Sequence, residues 1–454
     1  MVQQSKLQDK VTNLYKHIKN DFYLCRDDLN VSGHAYNSAL LFGVMTELNK
    51  GNQLLFGEYG GGKTTSAEYL NSIFNSLPLD LVKRVAIRGN PQLTEEKMIG
   101  RPDYAKLHGQ EEKVVWQHFV LVGPKIFDEF NRVPESNQAL VLNGVDRGEW
   151  NYLNDFISTG PQPFFATCNY SDKGNNGLIP PMLDRFDVAV ESKFPGVANA
   201  LFISQDYGNE KDKILSEPGL TKKALHILNS GQSYDEVQKG LLDINVAFSD
   251  KLAKEGFDIL TDEEKQSIEQ EIKNMPLDRD AQTYFAFLIS EMNVSPRYGQ
   301  KRSIDPPTDA SDGLYLQTAF VGSGSRREEK SIMRYAQSLA WLQKHDTTNL
   351  DHIIQTAPYV LWHRLKWTDE VQSRFRDHDR EDPLDLYITK LLLHEGTDEF
   401  PGVKKRFAET GSNYQRVLDL IRHRKNKEAL AHSKACAASG KGHPIFIDTV
   451  KDLE

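Results

Sequence analysis

The sequence predicts an α/β core built on a parallel sheet, followed by an α-helical domain and a helical C-terminal region, and three observations carry that expectation. Short apolar runs alternate with helical or loop segments between Asn52 and Val190, the rhythm of a layered α/β fold. A glycine cluster, Gly57 to Gly62, separates one such run from a helical pattern. From about residue 200 the chain turns charged and helix-forming.

In chain order, residues 1–30 carry Leu7, Val11, Leu14, Tyr15 and Ile18 at helical spacing and end in Asp27-Asp28-Leu29-Asn30, a leading helix and linker. A second helical pattern spans Ala35 to Leu48. Asn52 to Phe56 is then a short apolar run, as a buried parallel strand would be. Similar runs recur at 84–88, 126–130, 163–167 and 187–190. After Phe194-Pro195-Gly196 the helical part begins. Thr261 and Glu264 there have the spacing of a capping box. Residues 296–324 are rich in Pro, Gly, Ser and Asp and read as a long loop, whereas Arg326 to Gln343 is again helical. The expected division is 1–30, an α/β domain over 31–196, a helical lid with insertions over 197–370, and a helical region over 371–454.

At 454 residues the chain exceeds the roughly 250–300 residues of a single core. Hydrophobic residues make up 39% and charged residues 26%, the balance of a folded protein. The net charge of −9 offers no global attraction for phosphate backbones or anionic lipid. Three scattered cysteines, Cys25, Cys168 and Cys436, fit neither a disulfide framework nor a zinc cluster and indicate a reducing compartment. No run approaches the roughly 18 apolar residues that span a bilayer, and the N-terminus lacks the apolar core of a signal peptide. The expectation is a cytoplasmic protein with no membrane partner. His352, His363 and His432 sit in helical patterns without metal-ligand spacing and read as structural.

Gly57-Glu58-Tyr59-Gly60-Gly61-Gly62-Lys63-Thr64-Thr65 fits G-x-x-x-x-G-K-[ST] between a predicted strand and a predicted helix. The glycines let the backbone turn tightly, so that Gly57, Gly60, Gly61 and Gly62 can present N–H groups to phosphate oxygens at the positive end of the helix. Lys63 reaches the β- and γ-phosphates, Thr64 offers its hydroxyl to Mg²⁺, and Thr65 completes the cradle. Such a loop takes ATP with Mg²⁺. A left-handed turn that binds nothing would not need the Lys-Thr pair in this context.

Lys125-Ile126-Phe127-Asp128-Glu129-Phe130 is an apolar strand ending in two acids. Such a strand is expected beside the one before the glycine loop. Asp128 then supports the metal, and Glu129, held away from it, orients and deprotonates the attacking water. Gly123-Pro124 shortens the run, which a proline at a strand's first residue permits.

Together these residues resemble the MoxR family of AAA+ ATPases over 31–196 and, more loosely, through a lid to about 365. The likeness rests on DEFNRVPESNQALVLNGVDRGEW at 128–150, TGPQPFFATCNYSD at 159–172 and LIPPMLDRFDVAV at 178–190. It implies that Asn169 is the sensor-1 residue that helps Glu129 place the water. It also implies that Arg185 is an arginine finger acting on a neighbouring subunit's ATP, where its cationic fork offsets developing charge. GSGSRREEKSIMRYAQSLAWL at 322–342 is similar to the sensor-2 helix start. Arg326 is preferred there over Arg327, and over Arg297 of Ser295-Pro296-Arg297, because the sensor begins a helix. Residues 90–122 resemble the family's helix-2 insert and 146–162 its hairpin before sensor 1, loops that line the pore of a ring and grip a partner. Segments 197–260, 298–321 and the region after 370 depart from the pattern.

The resemblance implies a ring homo-oligomer, a hexamer, that remodels a protein client, with a von Willebrand factor A domain protein as a separate partner. A nucleic-acid motor is the alternative, because related clades share the insert. The hairpin carries Arg147 beside Asp146 and Asp155 without a basic-aromatic stripe, which disfavours it, and RHRKNK at 422–427 reads as a solvated helix face.

Overall fold

The computed structural model describes residues 2–104, 113–170, 177–295, 299–302, 304–305, 315–398, 400–438 and 443–454. By contacts the chain divides into two compact units, Met1–Ile272 and Lys273–Glu454.

In the first unit five apolar segments pair in parallel into one sheet. They are β1 (Asn52–Gly57), β2 (Ile87–Arg88), β3 (Lys125–Asp128), β4 (Phe164–Asn169) and β5 (Val188–Glu191). Their order is β5-β1-β4-β3-β2. The strands are apolar along most of their length because helices cover both faces of such a sheet. All six residues of β4 are buried.

Two strand expectations are corrected. The Asp128 strand does not adjoin β1, because β4 lies between β1 and β3. Parallel connections are long crossovers, so neighbours in sequence need not be neighbours in the sheet, and β4, with Phe164, Phe165 and Ala166 fully buried, takes the central place. The run at 84–88 is not one strand. Its first residues end the helix Leu79–Val85, whose Leu79, Val82 and Val85 share a buried face, and only Ile87–Arg88 is extended. An apolar run this short satisfies either period.

Helix α1 (Val2–His17) buries Leu7, Val11, Leu14 and Tyr15, and Ile18 continues the stripe in a π turn at Ile18–Phe22. Helix α2 (Ser38–Asn49) is buried all round and starts at Asn37, whose side chain accepts the Leu40 N–H at 3.0 Å. Helix α3 (Lys63–Phe74) follows the glycine loop. An antiparallel hairpin, Glu149–Tyr152 with Asp155–Ser158, lies where one was expected. The capping pair also forms: the Thr261 N–H donates to Glu264 at 3.0 Å and the Glu264 N–H to the Thr261 hydroxyl at 3.2 Å.

The second unit is mainly helical, with Arg279–Asn293, Arg326–Leu342, Leu350–Leu361 and Val403–Arg422 among its longer elements. Tyr284, Tyr335, Trp341, Tyr359 and Trp367 are fully buried there. A buried charge cluster ties three of its segments together. Arg406 donates to both oxygens of Glu291, at 2.6 and 2.9 Å, and His443 lies 3.0 Å from the first. No helix among the described residues is long and apolar enough to cross a membrane.

Candidate active site

The carboxyl ends of β1, β3 and β4 converge, the edge of an open α/β sheet where ligands bind. At the end of β1 the backbone turns through Gly60 and Gly62, both left-handed with φ of +73° and +75°. A Cβ on Gly57 would lie 2.7 Å from the Ser192 carbonyl oxygen, and one on Gly62 would lie 3.1 Å from the Tyr23 ring. Glycine is therefore required by close approach as well as by conformation. The Ser192 hydroxyl donates to the Gly61 carbonyl. Its proton being so used, the Tyr23 hydroxyl donates to Ser192 Oγ at 2.9 Å. The glycine loop is thus tied to the end of β5 and to the N-terminal segment.

Lys63 is buried, and its ammonium donates to the carbonyls of Gly57 at 2.9 Å and Glu58 at 2.8 Å. Burial lowers its pKa against the pull of Asp128. The Thr64 hydroxyl donates to Asp128 Oδ1 at 2.6 Å, and the Thr167 hydroxyl donates to the same oxygen at 2.6 Å. Thr64 and Asp128 thus supply two adjacent oxygen donors, which suits Mg²⁺, an ion that keeps several waters and takes the rest of its octahedron from phosphates.

Glu129 adopts a left-handed backbone, φ +52°, which costs a non-glycine residue about 1 kcal/mol. Three contacts hold it. Its N–H donates to Thr167 Oγ1 at 2.8 Å, Asn169 Nδ2 donates to its Oε1 at 3.4 Å, and Arg132 Nη1 pairs with its Oε2 at 3.2 Å. A Cβ on Gly89 would lie 2.2 Å from the Glu129 carbonyl oxygen, so the residue after β2 must be glycine for the turn to fit. The carboxylate is left partly exposed beside a cavity of about 380 Å³, which Gly60 to Thr65, Asp128, Glu129 and Asn169 help line. That volume lies in the range of small-molecule sites.

The AAA lid domain family model matches residues 317–385. Among solved structures, a candidate ATPase from Cytophaga hutchinsonii ATCC 33406 superposes with a TM-score of 0.52 over 82% of this chain and 91% of that chain, at 15% identity. No curated protein matches the sequence.

The chain has the AAA+ fold.

Gly57 to Thr65 fits the Walker A sequence pattern, and Asp128 ends β3 with Glu129 next to it. Asn169 ends β4, level with Gly57 on β1. Arg185 does not line the cavity. It follows the short helix Pro180–Leu183, and its guanidinium donates to the Pro181 carbonyl at 2.7 Å. In the second unit, Arg326 is the first residue of its helix, behind a capping box of Ser325 and Glu328, and it pairs with Glu329 at 2.6 Å. Its side chain is 83% exposed. Arg327 is the next residue of that helix, and Arg297 lies outside the described residues.

Sequence reasoning passed over Tyr23, Gly89, Arg132, Thr167 and Ser192. Thr167 was within reach, because a strand's side chains alternate and Thr167 shares a face with Asn169 two residues on. Tyr23, Ser192 and Gly89 carry no local signal. Cys168, beside Asn169, is buried and its thiol is pushed up to about 12 by that burial, so it stays protonated and packs as a small apolar group. His352 has a structural part as expected: its Nδ1 accepts the Asn349 N–H and its Nε2 meets Gln343 at 3.0 Å.

Proposed function

We propose that this protein is a MoxR-like AAA+ ATPase, cytoplasmic, that hydrolyses ATP with Mg²⁺ in a hexameric ring to remodel a protein client, with a von Willebrand factor A domain protein as a separate partner. The reading rests on one arrangement: the Thr64 and Asp128 oxygens 2.6 Å apart below the glycine loop, with Glu129 held beside them by Asn169 and Arg132. Lys63 exchanges the carbonyls of Gly57 and Glu58 for phosphate oxygens, and the loop N–H groups take the rest of the phosphate charge. Mg²⁺, when bound, neutralises charge across the β- and γ-phosphates. Glu129 accepts a proton from the water that attacks the γ-phosphorus, ADP leaves, and Asn169 keeps the carboxylate turned to that water. Arg185 serves the ATP of the adjacent subunit, and Arg326 serves as sensor 2.

A protein client is favoured over nucleic acid by the hairpin at 149–158. Its exposed large hydrophobic side chains are Leu153 and Phe156, flanking the exposed Asn154 and Asp155, a tip with no cation for a phosphate backbone on a chain of net charge −9.

The test is the ATPase rate of the full chain and two variants. Lys63→Ala is expected to lose ATP binding. Glu129→Gln is expected to bind ATP as tightly as the wild type while turnover falls by about a hundredfold or more, the contribution of a positioned general base. Turnover retained by either variant contradicts the assignment.

A further inference from the structure

A second cleft, of about 660 Å³, opens in the first unit between the helix Leu79–Val85 and the helix Pro218–Leu228. None of the described residues that line it lines the cavity beside the glycine loop. Among them are three cations, Lys83, Arg84 and Lys222, against one carboxylate, Asp80. Asp80 is engaged, because the Ser216 hydroxyl donates to it. Lys83 is engaged too, donating to Asp212 at 2.7 Å. The side chains of Arg84 and Lys222 are exposed and have no ion-pair or hydrogen-bond partner among the described residues. The helix Pro218–Leu228 begins at this cleft. Glu217 before it makes no side-chain cap, Pro218 has no N–H, and the N–H groups of Gly219 and Leu220 meet no acceptor among the described residues. The Glu217 carboxylate pairs with Lys251 instead, at 3.2 Å. Thr221, in the same turn, lines the cleft and is 4% exposed, yet its hydroxyl has no hydrogen-bond partner among the described residues.

We infer that this cleft is a second ligand site, one that takes a phosphate-bearing small molecule. Arg84 offers forked donors, Lys222 a mobile point charge, and the helix start two free N–H groups at its positive end. Apart from Asp80, already met by Ser216, the set consists of donors, and phosphoryl oxygens accept from all of them. A helical threonine can give its proton to the carbonyl four residues back. Thr221 does not, although its N–H donates to that carbonyl, of Glu217, at 2.9 Å. Buried hydroxyls are rarely left unmet, and a ligand in the cleft gives this one a partner. On a chain of net charge −9, cations gathered in one concave place draw in an anion that the rest of the surface repels. The volume exceeds that of a bare ion and lies in the range of small-molecule sites. This site is independent of the nucleotide reading, since neither Lys63 nor the glycine loop takes part in it. A cleft left over from helix packing predicts the reverse: no anion is held, and the Thr221 hydroxyl is a defect without a use.

The experiment is calorimetric titration of inorganic pyrophosphate, and of malonate as a carboxylate control, into the full chain carrying Lys63→Ala, so that the glycine loop does not compete. The same titrations are run with Arg84→Ala and Lys222→Ala added together, and with Thr221→Val added alone, each beside a thermal melt without ligand. Pyrophosphate is expected to bind the Lys63→Ala chain, and to bind about ten- to hundredfold more weakly once Arg84 and Lys222 are replaced, the range of charged hydrogen bonds. Thr221→Val is expected to weaken it about three- to tenfold with an unchanged or raised melting temperature, because the hydroxyl it removes is unmet in the free protein. Both exposed substitutions should leave the melt in place. Absence of pyrophosphate binding by the Lys63→Ala chain, or affinity within about twofold of it after Arg84 and Lys222 are replaced, overturns the site. Malonate bound as tightly as pyrophosphate overturns phosphate as the ligand class.

Discussion

Thr167 is the residue on which the geometry of the candidate site turns. Its single hydroxyl donates to Asp128 and accepts the N–H of Glu129, so one side chain fixes both the carboxylate next to Thr64 and the backbone of the proposed base. Thr167→Val keeps the shape and removes both bonds. It is expected to lower stability by about 1–3 kcal/mol, the cost of leaving a buried group unmet, and to raise the Mg²⁺ concentration needed for half-maximal ATPase activity. A Mg²⁺ titration identical to wild type removes Thr167 from the metal side of the site. Lys63 was legible in the strand, glycine loop and helix order around it, and Asp128 and Glu129 in an apolar run that ends in two acids. Thr167 announces itself only once its strand is known to stand between the other two.

At the scale of elements, the strand-loop-helix from Asn52 to Phe74 was legible because its signals are local: an apolar run, a glycine cluster, then helical periodicity. The leading helix was legible too, and every apolar position named for its stripe is buried. Being the inner face of α1, that stripe carries stability. Leu14→Ala is expected to cost about 2–5 kcal/mol, read as a shift of the denaturant midpoint, whereas a change under about 0.5 kcal/mol would mean that α1 adds little to the fold. The short helix Leu79–Val85 and the two-residue β2 were not separable by pattern, since each occupies fewer residues than one full period of evidence needs. Ala86, in an extended conformation, separates them, and β2 ends before Gly89, where a Cβ would meet the Glu129 carbonyl oxygen.

At the scale of the molecule, each unit has its own device. In the second, the Glu291 carboxyl would be raised by burial, yet the Arg406 guanidinium and His443 outweigh that and hold it at about 2, against an ordinary 4.5. A carboxyl depressed in the folded state stabilises above its unfolded value and loses that contribution as the pH falls through the folded one. Burial also lowers the His443 pKa from 6.5, so the unfolded chain takes up that proton first. Stability should therefore begin to fall below about pH 6.5, and the Glu291 share is lost between about 4.5 and 2. Amide exchange in the helix Arg279–Asn293, followed down this range, is the measurement. Glu291→Gln should flatten the lower part of the profile while costing about 3–5 kcal/mol at neutral pH; an unchanged slope removes Glu291 as its source. Assembly is tested separately. Arg185→Ala should lose turnover alone and regain part of it when mixed with Lys63→Ala subunits whose Arg185 is intact, and the absence of rescue argues against action in trans. By itself the sequence determined what local order can encode: the glycine loop, the acid pair, the Thr261–Glu264 capping pair, and the order of a parallel-sheet α/β part before a helical part. Tertiary structure alone decided that β4 separates β1 from β3, that Tyr23 and Ser192 brace the glycine loop, and that Arg84 and Lys222 share a cleft. Those relations join residues that only crossover connections bring together, and no periodicity along the chain records which strand a crossover will reach.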